Sequence, residues 1–91
     1  MPATTLTVTH EVGLHARPAS VFVKTANQFG ADIRVRNKTG NSEWVDGKSI
    51  LSVLTLGVEQ DHVIELEAEG EDSETAMATL TELVHSNFEA M

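Results

Sequence analysis

The sequence predicts a two-layer α+β domain, in which three helices cover one face of a four-stranded antiparallel sheet in the order βαββαβα. Four segments have the composition or alternation of strands, and three others space their apolar residues along one helix face. Residues 62–69 alternate so regularly that one face of the sheet is expected to be polar and open to water. A chain of 91 residues, 41% of them hydrophobic, is long enough for one core, so we assign residues 1–91 to a single domain.

The first three elements are predicted from residues 4–9, 16–29 and 31–36. The first and third segments alternate and predict strands, whereas the second has an apolar helical stripe. Pro18 lies in the first helical turn, where a missing N–H costs little, and Gly30 predicts a left-handed end to the helix. The inward-facing residues are Leu6 and Val8, then Ala19, Phe22, Val23, Ala26 and Phe29, then Ile33 and Val35.

The second half begins with a turn over residues 37–42, followed by a short strand over residues 43–46. Ser49 is predicted to be the N-cap of a brief helix, and residues 62–69 form the fourth strand. Ser73 is predicted to cap the last helix. The inward-facing residues are Ile50, Val53 and Leu54, then Ile64, Leu66 and Ala68, then Ala76, Leu80, Leu83 and Val84, with Phe88 one turn further on.

Charge is distributed unevenly along the chain. The net charge is −8, yet residues 1–48 hold all six Lys and Arg with four acids, whereas residues 49–91 hold ten acids and no Lys or Arg. A chain this acidic is not expected to bind nucleic acid. It shows no signal peptide, no cysteine and no apolar run near the roughly 20 residues of a membrane span. We therefore expect a cytoplasmic protein without membrane insertion.

The candidate functional residue is His15, which directly precedes the first predicted helix. A helix start offers free backbone N–H groups and a partial positive charge, so it stabilises anions. A histidine at this position can carry a phosphoryl group on its ring, and the nearby guanidinium of Arg17 can stabilise that group. A single histidine at a helix start is more often a cap or a solvated side chain. The surrounding His-Ala-Arg-Pro-Ala sequence favours the phosphoryl carrier.

Three stretches carry a resemblance that covers essentially the whole chain. They are residues 13–20 (GLHARPAS), residues 47–57 (GKSILSVLTLG) and residues 68–72 (AEGED). With them the chain resembles the HPr family, the histidine-containing phosphocarrier proteins of the bacterial sugar phosphotransferase system. The resemblance implies the open-faced β-sandwich of that family, which has the element order predicted above.

The resemblance also implies a reaction. His15 would accept a phosphoryl group on Nδ1 from phosphorylated enzyme I, which obtains it from phosphoenolpyruvate, and pass it to enzyme II A domains for sugar uptake. The residue that matches the family's arginine is Arg17, which would assist. No cofactor is implied. Such a protein carries a covalent phosphohistidine but has no turnover without its partner enzymes, so its status as an enzyme stays open.

A partner-binding face is predicted around His15. Arg17, Ser20 and Lys24 lie off the apolar stripe of the first helix, and Leu51 points outward beside Lys48. The resemblance favours docking over incidental exposure for this face. Its predicted members are Ala16, Arg17, Ser20, Lys24, Lys48 and Leu51. We expect the protein to work as a monomer.

Ser49 has two interpretations. It is first an N-cap, and the resemblance adds regulatory phosphorylation by a serine kinase, as in some bacteria, with a transcription regulator as a further partner. Other family members act only as regulatory modules, or carry phosphoryl groups for dihydroxyacetone kinase or nitrogen regulation. The sequence does not separate these recipients from sugar transport. The turn over residues 37–43 is a few residues longer than in common relatives, and its role stays open.

The other histidines receive structural interpretations. His10 and His62 lie at strand ends, and His85 follows the apolar stripe of the last helix. None of them is spaced with carboxylates in a pattern typical of metal ligands. We therefore predict no metal site.

Overall fold

The computed structural model describes residues 2–89. Four strands form one antiparallel sheet in the order β1-β4-β2-β3, and three helices pack against it, so the predicted architecture is confirmed. The elements are β1 (Ala3–Thr7), α1 (Ala16–Ala26), β2 (Asp32–Asn37), β3 (Val45–Asp46), α2 (Ile50–Leu54), β4 (Val63–Glu69) and α3 (Ser73–His85).

The core lies between the sheet and the helices. The predicted inward residues of β1, β2 and β4 are all buried, because alternation places every second side chain on the same sheet face. Phe22 of α1 and Phe88 are fully buried and add the largest side chains. Phe88 reaches the core from beyond α3, through a chain reversal in which Asn87 and Phe88 both have positive φ.

The opposite sheet face is polar, as predicted. Arg34 pairs with Glu67, and Arg36 pairs with Glu65 at 2.7 Å, in each case between the neighbouring strands β2 and β4. The guanidinium carbons of the two arginines lie 5.8 and 5.2 Å from the ring centre of Trp44. Cross-strand charge pairs and cation–π contacts thus stabilise this face in the presence of water.

Helix α1 ends earlier than predicted, at Ala26, and Gly30 does not adopt a left-handed conformation. The side-chain amide of Asn27 instead donates to the carbonyl oxygen of Val23 at 2.8 Å. The backbone N–H groups of Gln28 and Phe29 donate to carbonyl oxygens three residues earlier, which is the tighter bonding of a 3₁₀ turn. These bonds satisfy the last helical carbonyls, so the chain needs no glycine to end the helix.

The predicted inward face of α2 is wrong for two of its three residues. Val53 is 1% exposed, whereas Ile50 and Leu54 are 39% and 38% exposed. A helix of five residues makes little more than one turn and therefore presents only a narrow face to the core. The prediction that Leu51 points outward is confirmed, since 75% of it is exposed.

The start of α3 also differs from the prediction. Ser73 is the first helical residue and is buried, and Asp72 holds the N-cap position without a side-chain capping bond. Its carboxylate accepts hydrogen bonds from the backbone N–H groups of Gly30 and Ala31 at 2.9 and 2.8 Å. These bonds lower the pKa of Asp72 below its ordinary value of 3.8, and the bond from Gly30 has the largest effect. Asp72 therefore ties α3 to the start of β2.

Candidate functional site

The loop before α1 is held in place by Gly13. This residue has φ +68°, and a Cβ there would lie 2.2 Å from the carbonyl oxygen of Val58 and 2.7 Å from Cα of Glu59. The backbone N–H of Leu14 donates to the same Val58 oxygen at 3.0 Å, and the Leu14 side chain is buried. Only glycine permits this close approach of two backbones. The contact fixes the loop that carries His15 against the loop between α2 and β4.

His15 occupies the N-cap position of α1 with extended backbone angles, φ −128° and ψ 172°. Its carbonyl accepts the hydrogen bond from Ala19 N–H at 3.3 Å that closes the first turn. Its side chain forms no capping bond, so the imidazole is not used to satisfy the helix. The structural alternative of a side-chain cap is therefore excluded for His15.

Ala16 has an unusual backbone conformation for a residue with a side chain. Its φ is +50°, although it is the first residue of α1. A left-handed conformation costs an alanine about 1–2 kcal/mol, which the surrounding structure must offset. Pro18 and Ala19, two and three residues further on, are buried and hold this first turn in place. The strain lies next to the candidate site.

Glu59 lies at this site although no pattern in the sequence predicts it there. Its Oε2 lies 3.0 Å from Nε2 of His15, and the two side chains are 66% and 34% exposed. The contact joins residues 44 positions apart in two loops, and no local motif or spacing signals it. The His15 ring is therefore only partly exposed. Among the described residues, Nδ1 of His15 has no hydrogen-bond partner.

The predicted cations of α1 are available for an incoming group. Arg17, Ser20 and Lys24 are all exposed. Neither Arg17 nor Lys24 forms an ion pair within residues 2–89. A guanidinium without a carboxylate partner can engage a phosphoryl group without first breaking a bond.

The second half of the predicted partner-binding face begins at Lys48, just before α2. The ammonium group of Lys48 donates to the carbonyl oxygen of Phe29 at 2.7 Å, so this lysine is already engaged within the fold. The hydroxyl of Ser49 accepts from Ser52 N–H at 3.3 Å, which confirms Ser49 as the N-cap. Asn27 donates to the carbonyl of Lys48 at 3.0 Å and joins the two halves. Helices α1 and α2 are therefore in contact.

No helix in the described part of the chain is long and apolar enough to cross a membrane. No three histidine or acidic side chains among residues 2–89 are grouped so that they could hold a metal ion.

Comparisons with known proteins agree on one family. Residues 3–86 match the family model of the PTS HPr component phosphorylation site. The chain is 45% identical over 80 residues to phosphocarrier protein HPr of Haloferax volcanii, which covers 88% of this chain and 89% of that protein. It is 40% identical to the multiphosphoryl transfer protein of Vibrio cholerae, over 84% of this chain but only 19% of that longer protein.

A solved structure gives the same result. The crystal structure of HPr-C-His from Thermoanaerobacter tengcongensis superposes with a TM-score of 0.92 and 40% sequence identity, covering 100% of this chain and 99% of that one. Sequence and fold thus agree over almost the full length. The chain belongs to the HPr family, the phosphocarrier proteins of the phosphotransferase system.

Proposed function

We propose that this protein carries a phosphoryl group on Nδ1 of His15, received from phosphorylated enzyme I and passed to enzyme II A domains for sugar uptake in the cytoplasm. The main support is the position and bonding of the His15 side chain. His15 lies at a helix start, yet its side chain neither caps the helix nor uses Nδ1 in any bond among the described residues. The ring is therefore held at an anion-binding position with its nucleophilic atom free.

The reaction needs few groups from this chain. The Nδ1 lone pair of His15 forms a bond to phosphorus as the bond between phosphorus and the donor atom of enzyme I breaks, and the electron pair leaves with the donor. Arg17, which is exposed and unpaired within residues 2–89, stabilises the phosphoryl oxygens. Transfer to the recipient reverses these bond changes. The contacts are exposed, so they release the group readily.

Exposed apolar side chains support a docking face beside His15. The described residues include four exposed large hydrophobic side chains, and all four lie just before α1 or on α2. They are Val12, Ile50, Leu51 and Leu54. Apolar anchors surrounded by polar residues are typical of protein–protein contacts. We place them with Arg17, Ser20 and Lys24 on one face, to which Arg17 and Lys24 contribute positive charge.

Ser49 is a candidate regulatory site at the same face. It is half-buried and caps α2 next to Leu51, the most exposed of these apolar residues. A phosphate on Ser49 adds a charge of about −2 and repels acidic groups of a docking partner. The variant Ser49→Asp keeps a capping residue and adds charge, so it should slow phosphoryl transfer. The control Thr81→Asp, on α3, should not.

The proposed function is tested by incubating the protein with enzyme I and phosphoenolpyruvate. We expect an acid-labile, alkali-stable phosphate that then moves to enzyme II A domains. His15→Ala should abolish labelling with little change in melting temperature, because the side chain makes no capping bond and its contact with Glu59 is exposed. Labelling of wild-type protein that persists in His15→Ala would overturn the assignment. The domain that removes the phosphate identifies the recipient.

A further inference from the structure

A short turn between α2 and β4 carries Glu59 to His15, and the turn is closed by a histidine. The backbone N–H of Glu59 donates to Nδ1 of His62 at 3.2 Å, and the N–H of His62 donates to the Glu59 carbonyl at 3.1 Å. Asp61 between them has φ +70°, and its N–H donates to the carbonyl of Val8 at 2.6 Å. The turn is thus bound both to itself and to the end of β1.

The proton positions on His62 follow from its partners. A backbone N–H can only donate, so Nδ1 of His62 must accept and must lack a proton. The side-chain nitrogen of Asn37 lies 3.2 Å from the same Nδ1. Asn37 is 2% exposed, and its Oδ1 accepts from Gly40 N–H at 2.9 Å, so its nitrogen is the atom that faces His62. The two donors share the single lone pair of His62 Nδ1, so a neutral His62 ring carries its proton on Nε2.

The proton of a neutral His15 ring is likewise located by its partner. A carboxylate accepts hydrogen bonds and does not donate them, so the 3.0 Å contact with Glu59 requires the proton of a neutral His15 ring on Nε2. We propose that Glu59 is a positioning residue that selects this tautomer and holds the ring, and that Asn37 and His62 fix the turn from which it acts. This role rests on the proposed function, since the selected tautomer leaves the lone pair on Nδ1.

Glu59 also suits the change of charge during transfer. When the Nδ1 lone pair of His15 forms the bond to phosphorus, the ring becomes positively charged and keeps its Nε2 proton. That proton faces the carboxylate of Glu59 on the ring edge away from the phosphoryl group. No proton needs to move in either direction of transfer. Among the described residues, Glu59 is the one carboxylate within ion-pair distance of His15.

The tautomer is measured directly from the 15N chemical shifts of the His15 ring in unphosphorylated protein, with the ring neutral. Glu59→Gln removes the charge and adds a competing donor while keeping the side-chain size. It should raise the share of the Nδ1–H form and slow phosphoryl acceptance by about two- to five-fold, the effect of losing an exposed charged pair. Asp61→Asn is the matched control. It removes a charge from the same turn, and asparagine tolerates the positive φ. It should leave both quantities unchanged.

A second pair of variants tests whether His62 holds the turn that carries Glu59, without changing His15 itself. His62→Ala removes the acceptor for Glu59 N–H and should shift the His15 tautomer in the same direction as Glu59→Gln. His62→Asn places a carbonyl oxygen near the former Nδ1 and should restore the wild-type tautomer, whereas a merely structural role would not distinguish the two in a folded protein. An unchanged His15 tautomer in Glu59→Gln would overturn the inference. Failure of wild-type protein to accept phosphate would overturn the proposed function instead, while the tautomer still decides the role of Glu59.

Discussion

The side-chain amide of Asn27 donates to the carbonyl oxygen of Lys48 at 3.0 Å and so joins the end of α1 to the residue before the cap of α2. The same nitrogen donates to Val23 at 2.8 Å, so both of its protons are used. The predicted docking face includes residues of both helices. Asn27 therefore sets the relation between its two halves.

Asn27→Ala should lower the free energy of unfolding by about 1–2 kcal/mol, because it removes two side-chain hydrogen bonds. It should also slow phosphoryl transfer, since α2 loses a connection to α1. Urea unfolding and transfer assays measure the two effects. Gln28→Ala is the control, because its exposed side chain forms no bond within residues 2–89. Equal stability of the two variants would contradict this role for Asn27.

Gly13→Ala should destabilise the protein more than Gly57→Ala. Both glycines have positive φ, +68° and +61°, so both variants carry the conformational cost of about 1–2 kcal/mol. Of these two glycines, only Gly13 has backbone atoms close to the added Cβ, with the Val58 oxygen at 2.2 Å, whereas no atom of residues 2–89 lies within 4 Å of it at Gly57. Thermal unfolding compares the two. A similar loss in both would show that the loops do not need this close approach.

Asp72 predicts a specific dependence of stability on pH. Its pKa is lowered in the folded protein, chiefly by the hydrogen bond from Gly30, so the ionised form is favoured by folding. Its contribution is fully present above the unfolded value of 3.8 and is lost as pH falls through the lower folded value. Asp72→Asn should therefore be less stable than wild type at neutral pH, and the difference should shrink below pH 3.8.

Urea titrations across this pH range measure the effect. Glu71→Gln removes a neighbouring exposed charge that makes no such bonds, and it should show a much smaller difference from wild type. A gap between wild type and Asp72→Asn that widens as pH falls would contradict the sign of the linkage.

Leu51→Glu should slow phosphoryl transfer strongly while leaving the melting temperature nearly unchanged. Leu51 is 75% exposed, so the fold does not depend on it, whereas a charge on the proposed docking face opposes burial against a partner. Ala78→Glu, at an exposed position of α3, is the control for added charge. Unchanged transfer by Leu51→Glu would remove Leu51 from the docking face.

Local patterns predicted the parts of this structure that local physics controls. Alternation correctly predicted that Ile33, Val35, Ile64 and Leu66 are buried. A strand has a period of two, so every second side chain lies on the same face of the sheet. In α2, the spacing of apolar residues wrongly predicted that Ile50 and Leu54 are buried. Five residues are too few to define a helical face, so packing against neighbouring elements decided their exposure.

At the candidate site, too, the residues in a local motif were predicted and those brought together by loop packing were not. His15 and Arg17 were predicted from a short motif, because a helix start and its anion-binding groups are local features. Glu59 was missed, because two loops bring it to His15 from 44 residues away. Asn37 was assigned to a turn, yet it is the last residue of β2 and is buried beside His62. Such contacts depend on how the loops pack, which no local spacing records.

We expect His15 to carry the phosphoryl group on Nδ1. Long-range 1H–15N NMR of protein labelled with 15N-histidine, recorded after incubation with enzyme I and phosphoenolpyruvate, identifies the phosphorylated nitrogen. We predict that the phosphorus couples to Nδ1 of His15 and that Nε2 keeps its proton facing Glu59. A phosphate on Nε2 of His15, on His10, His62 or His85, or on Ser49 alone would contradict the assignment of Nδ1 of His15.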